Sequence, residues 1–286
     1  MNMIGREYAN YLDILVQSFT QMNKEYQKKS KVNSKDGKLL AKLKKLYIGV
    51  FGIPEIGFQI RSIYFEKILL SHIFSNNPKK ILDAGSGIGA YAFWLGRKFT
   101  NAQVVGVDID KDKSKFCQAM TKDLGLKNVA FIYQDIRKMH KKNKYDLIVA
   151  IDVLEHIENY EKTLENFFHM LYKHGYLYIH VPQPNQKRIL NLLKNWHHED
   201  HVHEGIAKST LEHILKKLGF QIVLSQETFG FLGKLAWELN HLMLSRNFVL
   251  AGITFPFLYL VARMDMSSNN NDGLGIALLA KKMSDR

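Results

Sequence analysis

A glycine-rich turn follows a short apolar run at 81–84. Asp83 lies within the run, and glycine then recurs at alternate positions as Gly85, Gly87 and Gly89. Glycine lets a backbone approach a ligand closely, and a helix that opens after such a turn offers unpaired N–H groups to a carboxylate or phosphate. The spacing therefore predicts a site for a small anionic ligand. It also fits the dinucleotide-binding pattern G-x-G-x-x-A, so a nicotinamide cofactor is an alternative ligand at this stage.

Acidic residues end the next two apolar runs. Asp108 closes the run 104–108, where a carboxylate can accept hydrogen bonds from both hydroxyls of a ribose. Asp135 follows the run 130–133 and can receive an adenine amino group. Both acids fit an adenosine that lies across the ends of three neighbouring strands.

The fourth apolar run, 147–151, leads into Asp152-Val153-Leu154-Glu155-His156-Ile157. This segment resembles the D-V-L-E-H-I signature of class I S-adenosylmethionine-dependent methyltransferases, close to those that act on quinone precursors and other small molecules. A nicotinamide oxidoreductase would leave the segment unexplained. The resemblance implies a doubly wound, mostly parallel Rossmann-like α/β sheet of seven strands in the order 3-2-1-4-5-7-6. It extends over about 64–184 and, more loosely, over 220–227 and 274–281.

The resemblance also implies which residues bind S-adenosylmethionine and, after transfer, S-adenosylhomocysteine. The methionine moiety would lie against Asp83, Gly85, Gly87 and Gly89, and the ribose against Asp108. The adenine would contact Ile109, Asp135 and Ile136. Ile151 and Asp152 would line the sulfonium side. His156 would stand near the reacting methyl group.

A general base is needed if the acceptor is a hydroxyl group, and histidine has a suitable pKa range. The candidates are His156 and His201, the latter in a histidine-rich segment at 197–204. Relatives often carry a His-x-Arg pair where this chain has His201 and His203, which weakens a role for His203. His198, His201 and His203 with nearby acids resemble a metal-ligand set, but without firm ligand spacing a metal site is the less favoured alternative.

Short apolar runs alternate with helical stretches from residue 80 onwards, which predicts a parallel sheet with crossover helices. The seven strands are expected at 81–84, 104–108, 130–133, 147–151, 176–181, 220–227 and 274–281. Ser209 and Glu212 have the spacing of a capping box, and Gly219 predicts the end of that helix. We expect a helical N-terminal segment, 1–72, before a methyltransferase domain, 73–286.

An apolar insertion is expected at 229–271, between the last two strands. Its run 248–262 holds fifteen uncharged residues with a proline, between Arg246 and Arg263, and is shorter than a typical membrane-spanning helix. A lid, a hydrophobic substrate wall, a membrane contact and a simple cover for the core all stay open. Nine lysines between residues 24 and 45 favour an anionic membrane surface and, with the insertion, a lipophilic acceptor.

The formal net charge of +13 would also suit nucleic acid. Base-amino and cytosine methyltransferases usually carry other residues after the fourth strand, so an RNA or DNA acceptor remains the disfavoured alternative. A single cysteine, Cys117, and a charged N-terminus predict a reducing cytoplasm, with possible membrane association. The predicted function is methyl transfer from S-adenosylmethionine to oxygen or carbon of a small, lipophilic acceptor.

Overall fold

A seven-stranded sheet forms the centre of the computed structural model, which describes residues 46–47, 51, 53–140, 142–193, 202–265 and 270–284. The strand order β3-β2-β1-β4-β5-β7-β6 is the predicted one. All neighbouring strands are parallel except β7, which runs antiparallel to both β5 and β6. The strands are β1 Lys80–Ala84, β2 Gln103–Asp108, β3 Val129–Tyr133, β4 Tyr145–Ile151, β5 Leu171–Pro182, β6 Phe220–Thr228 and β7 Gly275–Lys282.

Helices cover both faces of this sheet. Within the described ranges they are α1 Ile56–His72, α2 Ala90–Lys98, α3 Lys111–Asp123, α4 Tyr160–Met170, α5 Lys208–Leu218, α6 Phe231–Arg246 and α7 Phe248–Asp265. Successive strand residues point to opposite faces, so Ile81 packs in one apolar cluster and Leu82 in the other. Burial on both faces explains why the strands are continuous apolar runs rather than alternating ones.

The ends of α5 confirm one sequence prediction and correct another. Gly219 ends the helix in the left-handed conformation, with φ of 97°. The predicted capping box is wrong, because Ala207 is the N-cap residue and Ser209 lies inside the first turn. The helix therefore begins without a side-chain cap.

The insertion between β6 and β7 consists of α6 and α7. The inner face of α7, which includes Ala251, Phe255 and Leu258, packs in the same core cluster as α1. Its outer face is apolar and exposed; we call it the α7 outer stripe, formed by Leu250, Ile253, Phe257, Leu260 and Met264. None of the described helices combines the length and apolar character needed to cross a bilayer.

Asn240 joins the insertion to the start of α1. Its side-chain oxygen accepts from the Ile56 N–H at 3.0 Å, and its amide nitrogen donates to the Pro54 carbonyl at 3.3 Å. Glu55 caps the same helix by accepting from the backbone N–H groups of Gly57 and Phe58. These contacts thus fix the start of α1 to the insertion.

Candidate active site

The glycine turn between β1 and α2 has the geometry that its residues predict. Gly85, Gly87 and Gly89 adopt positive φ angles of 76°, 53° and 81°. The Gly85 N–H donates to the Val107 carbonyl at 2.8 Å, which ties the turn to β2. A Cβ on Gly85 would lie 2.3 Å from Val153 Cγ2. Glycine is therefore required at this position by packing as well as by conformation.

Gly87 forms the open tip of the turn. A Cβ there would meet no described heavy atom within 4 Å, so the described residues leave room for a ligand beside Gly87. The Gly87 N–H donates to Asp108 Oδ2 at 2.7 Å, and the Asp110 N–H donates to Asp108 Oδ1 at 2.8 Å. Each carboxylate oxygen has a second lone pair, so Asp108 orients the turn and can still accept from a ligand hydroxyl.

Asp83 is buried beneath the turn, with 2% of its surface exposed. Its Oδ2 has no hydrogen-bond partner among the described residues. Burial raises the pKa of Asp83 to about 7, against a hydrogen bond from the Ala92 backbone that lowers it and the Asp108 charge that raises it. A buried acceptor without a partner fits a site in which a ligand amino group completes the hydrogen bonding.

The residues expected around adenine lie at the ends of β2 and β3. Ile109 is 61% exposed, whereas Ile136 is buried. The Asp135 carboxylate is bound by the Arg137 guanidinium at 2.7 to 3.1 Å, and this hydrogen bonding lowers the pKa of Asp135. An adenine contact by Asp135 stays a prediction, and it would have to share the carboxylate with Arg137.

Asp152 lies directly after the buried Ile151, where β4 ends. Its φ of +51° is unusual for a residue other than glycine. Such a backbone conformation costs free energy and is often found at functional sites. Its Oδ1 lies 2.6 Å from His180 Nδ1, and its Oδ2 lies 3.1 Å from Arg61 Nε. Arg61 belongs to α1 and His180 to β5, so three separate elements meet at this carboxylate.

Glu155 is buried behind Asp152, and both of its carboxyl oxygens lack a hydrogen-bond partner in the described part of the chain. Burial raises the pKa of Glu155 well above its usual range, and the neighbouring Asp152 charge adds to the effect. The side chain is therefore held towards its neutral form. Its backbone carbonyl accepts from the N–H groups of Val202 and His203, which brings the end of the histidine-rich segment against the turn after β4.

Of the two predicted bases, the structure describes only His156. His156 is exposed on the 3-10 turn Leu154–His156 that follows β4. His201 lies outside the described residues, as does His198. His203 Nε2 lies 3.2 Å from the Glu158 carbonyl. No group of three or more potential metal ligands occurs within the described ranges.

Sequence patterns did not single out Arg61, His180 or Thr228. Arg61 occurs in an apolar helical stretch and His180 in an apolar strand, and neither follows a recognisable motif. A polar residue inside a buried strand was the one available signal for His180, because such a residue needs a hydrogen-bond partner. Thr228 Oγ1 is one such partner, 3.0 Å from His180 Nε2.

Residues 75–233, more than half of the chain, match a family model described as a methyltransferase domain. The chain belongs to the methyltransferase-domain family. This confirms the family and the fold that the D-V-L-E-H-I segment led us to expect.

Curated relatives of this methyltransferase-domain protein include enzymes that methylate nitrogen and oxygen. It is 29% identical to an (S)-coclaurine N-methyltransferase of Papaver somniferum over 127 residues, 44% of this chain and 35% of that enzyme. It is 27% identical to a ubiquinone biosynthesis O-methyltransferase of Rickettsia canadensis, over 44% of this chain and 52% of that enzyme. The chain thus spans about a third to a half of these relatives.

Solved methyltransferases share the fold. Coclaurine N-methyltransferase bound to N-methylheliamine and SAH superposes with a TM-score of 0.55 and 18% identity, over 77% of this chain and 72% of that one. The N-methyltransferase NodS of Bradyrhizobium japonicum in complex with S-adenosylhomocysteine gives a TM-score of 0.51 and 15% identity, over 78% and 88%. At these identities the likeness shows the fold alone.

Proposed function

We propose that this protein transfers the methyl group of S-adenosylmethionine to a small, lipophilic acceptor. The observation that carries the proposal is the open Gly87 tip, held by Asp108, at the same sheet edge as the strained Asp152. When bound, S-adenosylmethionine supplies a methyl group activated by its sulfonium. Family membership and the S-adenosylhomocysteine in solved relatives support this cofactor.

The chain's own residues would hold the cofactor from several sides. The glycine turn gives backbone access beside the methionine moiety, Asp108 accepts from the ribose, and buried Asp83 accepts from an amino group. Ile109 offers an exposed apolar side chain to the adenine. Asp152 would lie on the sulfonium side. These residues orient and bind, which is the main contribution of the protein in methyl transfer.

Charges around Asp152 support oxygen or carbon as the methylated atom. Arg61 and His180 already bind both carboxylate oxygens of Asp152, and Glu155 is held towards neutrality. The carboxylate is therefore compensated within the protein, so it has little excess charge to attract a cationic amine. His156 would take the proton from a hydroxyl acceptor. N-methylation is the second candidate, favoured by the similarity to coclaurine N-methyltransferase.

The α7 outer stripe supports a lipophilic acceptor taken from an anionic membrane. Its five residues are between 45% and 72% exposed. Exposed Arg246 precedes α7, and exposed Arg263 lies in its last turn. A row of exposed apolar side chains with basic residues at its ends suits the interface of a bilayer with anionic lipids. The lysines at 24–45, which would add to the attraction, lie outside the described residues.

Calorimetric titrations with S-adenosylmethionine, S-adenosylhomocysteine and NAD⁺ test the cofactor. We expect the first two to bind and NAD⁺ not to bind. All three contain an adenosine that Asp108 can recognise, but only the first two carry the methionine-derived part that would lie beside Asp152. Turnover with phenolic and amine acceptors of matched size then tests the methylated atom. Preferential methylation of amines would replace our proposal with N-methylation.

A further inference from the structure

A buried chain of hydrogen bonds connects Asp152 to the base of the insertion. His180 is 2% exposed and lies between Asp152 Oδ1, 2.6 Å from its Nδ1, and Thr228 Oγ1, 3.0 Å from its Nε2. Thr228 is fully buried at the end of β6. A Cβ on Gly275 would come within 2.7 Å of Thr228 Oγ1 and 3.0 Å of His180 Cε1. Glycine at 275 therefore leaves room for this pair of side chains.

The hydrogen bonds determine which imidazole nitrogen carries a proton. Asp152 is ion-paired with Arg61, and an ionised carboxylate only accepts, so His180 Nδ1 must donate. In the neutral ring Nε2 then has to accept, and the Thr228 hydroxyl is placed to donate to it. The carboxylate therefore sets the Nδ1–H tautomer, and the Thr228 hydroxyl satisfies the Nε2 that this tautomer leaves as an acceptor.

We propose that His180, held in place by Thr228, is a positioning residue for methyl transfer. It holds the Asp152 carboxylate in the orientation that meets the acceptor and the sulfonium side of the cofactor, an inference that rests on the proposed function. Asp152 is the partly exposed end of the chain, with 29% of its side chain accessible, so its orientation faces the site while His180 stays buried. A buried imidazole in an apolar strand gains little stability over a well-packed apolar side chain. Its effect is on geometry.

The same chain connects the acceptor side to the insertion. Phe229, with φ of +56°, and Gly230 follow Thr228 and lead into α6. The Gly230 N–H donates to Asp265 Oδ2 at 2.8 Å, which ties the beginning of α6 to the end of α7. The two ends of the insertion are therefore joined next to Thr228, which fixes the backbone that carries its hydroxyl.

Two conservative variants of Thr228 provide the test. Thr228→Val keeps the shape and removes the hydroxyl, whereas Thr228→Ser keeps the hydroxyl. We expect Thr228→Val to lower kcat about 5- to 20-fold through loss of one positioning hydrogen bond, with S-adenosylmethionine affinity within twofold of wild type. Thr228→Ser should retain at least half of the wild-type kcat. Equal kcat in Thr228→Val and wild type would overturn the proposal.

Nitrogen-15 NMR of the His180 ring supplies a readout that does not depend on turnover. We expect a ring protonated on Nδ1 in both the wild type and Thr228→Val, with a changed Nε2 chemical shift in the variant because the hydrogen bond from the hydroxyl is lost. A wild-type ring protonated on Nε2, alone or together with Nδ1, contradicts the tautomer assignment, and so does an unchanged Nε2 shift in Thr228→Val. If the wild type shows the expected ring but does not bind S-adenosylmethionine, the proposed function fails and not the hydrogen-bonded chain.

A second pair of variants tests the same proposal if Thr228→Val does not fold. His180→Asn retains an N–H near the position of Nδ1, and His180→Leu removes it with similar volume. We expect His180→Asn to keep at least fivefold more kcat than His180→Leu, even where the leucine variant has the higher melting temperature. Turnover that follows melting temperature instead would show a merely structural role.

Discussion

Gly87 and Gly125 share a backbone conformation but not a location. Their φ angles are +53° and +63°, and a Cβ on either would meet no described heavy atom within 4 Å. Alanine should cost about 1 kcal/mol of backbone strain at each position. Gly87→Ala should also weaken S-adenosylmethionine binding at least tenfold, because its methyl group enters the ligand's space. Calorimetry on both variants checks this, and an equal loss of affinity in Gly125→Ala would contradict it.

Asp108 contributes to the site in two ways, by accepting from the Gly87 N–H and by facing a ribose. Asp108→Ala removes a charged acceptor and the support of the turn. We expect affinity for S-adenosylmethionine to fall by about 2 to 3 kcal/mol, measured by calorimetry. Asp108→Asn should lose less, since its side-chain oxygen can still accept. Unchanged affinity in the alanine variant would remove Asp108 from the site.

Asp83 makes the stability of the ligand-free protein depend on pH. Its pKa is raised to about 7, so the folded state binds more protons than the unfolded state between about pH 4 and pH 7. Stability from this residue is present at acid pH and is lost as pH rises through that window. The stabilisation by Asp83→Asn should therefore grow by about 2 to 3 kcal/mol from pH 5 to pH 8 in urea titrations. Parallel pH profiles for the two proteins would refute the assignment.

Sequence reasoning identified the acids that directly follow strands, because the end of a parallel strand has a local pattern. Asp108 and Asp152 are examples, and both lie at the same edge of the sheet. It did not identify Arg61 or Thr228, whose roles arise from contacts with partners far along the chain. No local pattern encodes such pairs. Only the packing of α1 and the ordering of β5, β6 and β7 bring them together.

At the level of elements, the seven strands were predicted closely because both faces of the sheet are buried. The largest difference is β5, which begins at Leu171 rather than at 176. The irregular pairing between Tyr145 and Leu147 lets this early segment join the sheet, and a period-based pattern does not anticipate such a shift. The predicted start of α5 was wrong, because residues that often cap helices also occur within the first turn.

The faces of α7 could not be assigned from sequence, because the run 248–262 is apolar all round. Phe255 and Leu258 are buried in the core, so aspartate at either should unfold the protein rather than alter a lid. Thermal melting checks this expectation: Phe255→Asp should lose several degrees or fail to fold, whereas Phe257→Asp on the outer stripe should melt near the wild-type temperature. Equal melting of the two variants would mean that the faces are misassigned.

The α7 outer stripe leads to a separate prediction about membranes. Ile253→Asp combined with Phe257→Asp should reduce co-sedimentation with anionic liposomes at least tenfold, because two apolar contacts worth about 1 to 2 kcal/mol each are lost and negative charge is added. Lys208→Asp, on the opposite layer of the sheet, is the matched charge control and should bind more like wild type. Self-association of the wild type without lipid would instead indicate a second copy as the partner of this stripe.

For the molecule as a whole, the net charge of +13 predicts that membrane binding weakens with salt. Raising the ionic strength should release much of the protein from anionic vesicles, while the apolar contribution of the outer stripe persists. Binding to neutral vesicles should be weak at every salt concentration. Equal binding to neutral and anionic vesicles would exclude the electrostatic part of the proposal.

The fate of a labelled methyl group tests the central claim most directly. The full chain is incubated with S-adenosylmethionine labelled in its methyl group and with a total cell extract, and the lipid, RNA, protein and aqueous fractions are then analysed by mass spectrometry. We predict label in a small molecule of the lipid fraction, S-adenosylhomocysteine formed in equal amount, and loss of both with Asp108→Ala. Label found in RNA or protein, or no transfer by a chain that binds the cofactor, would contradict the account.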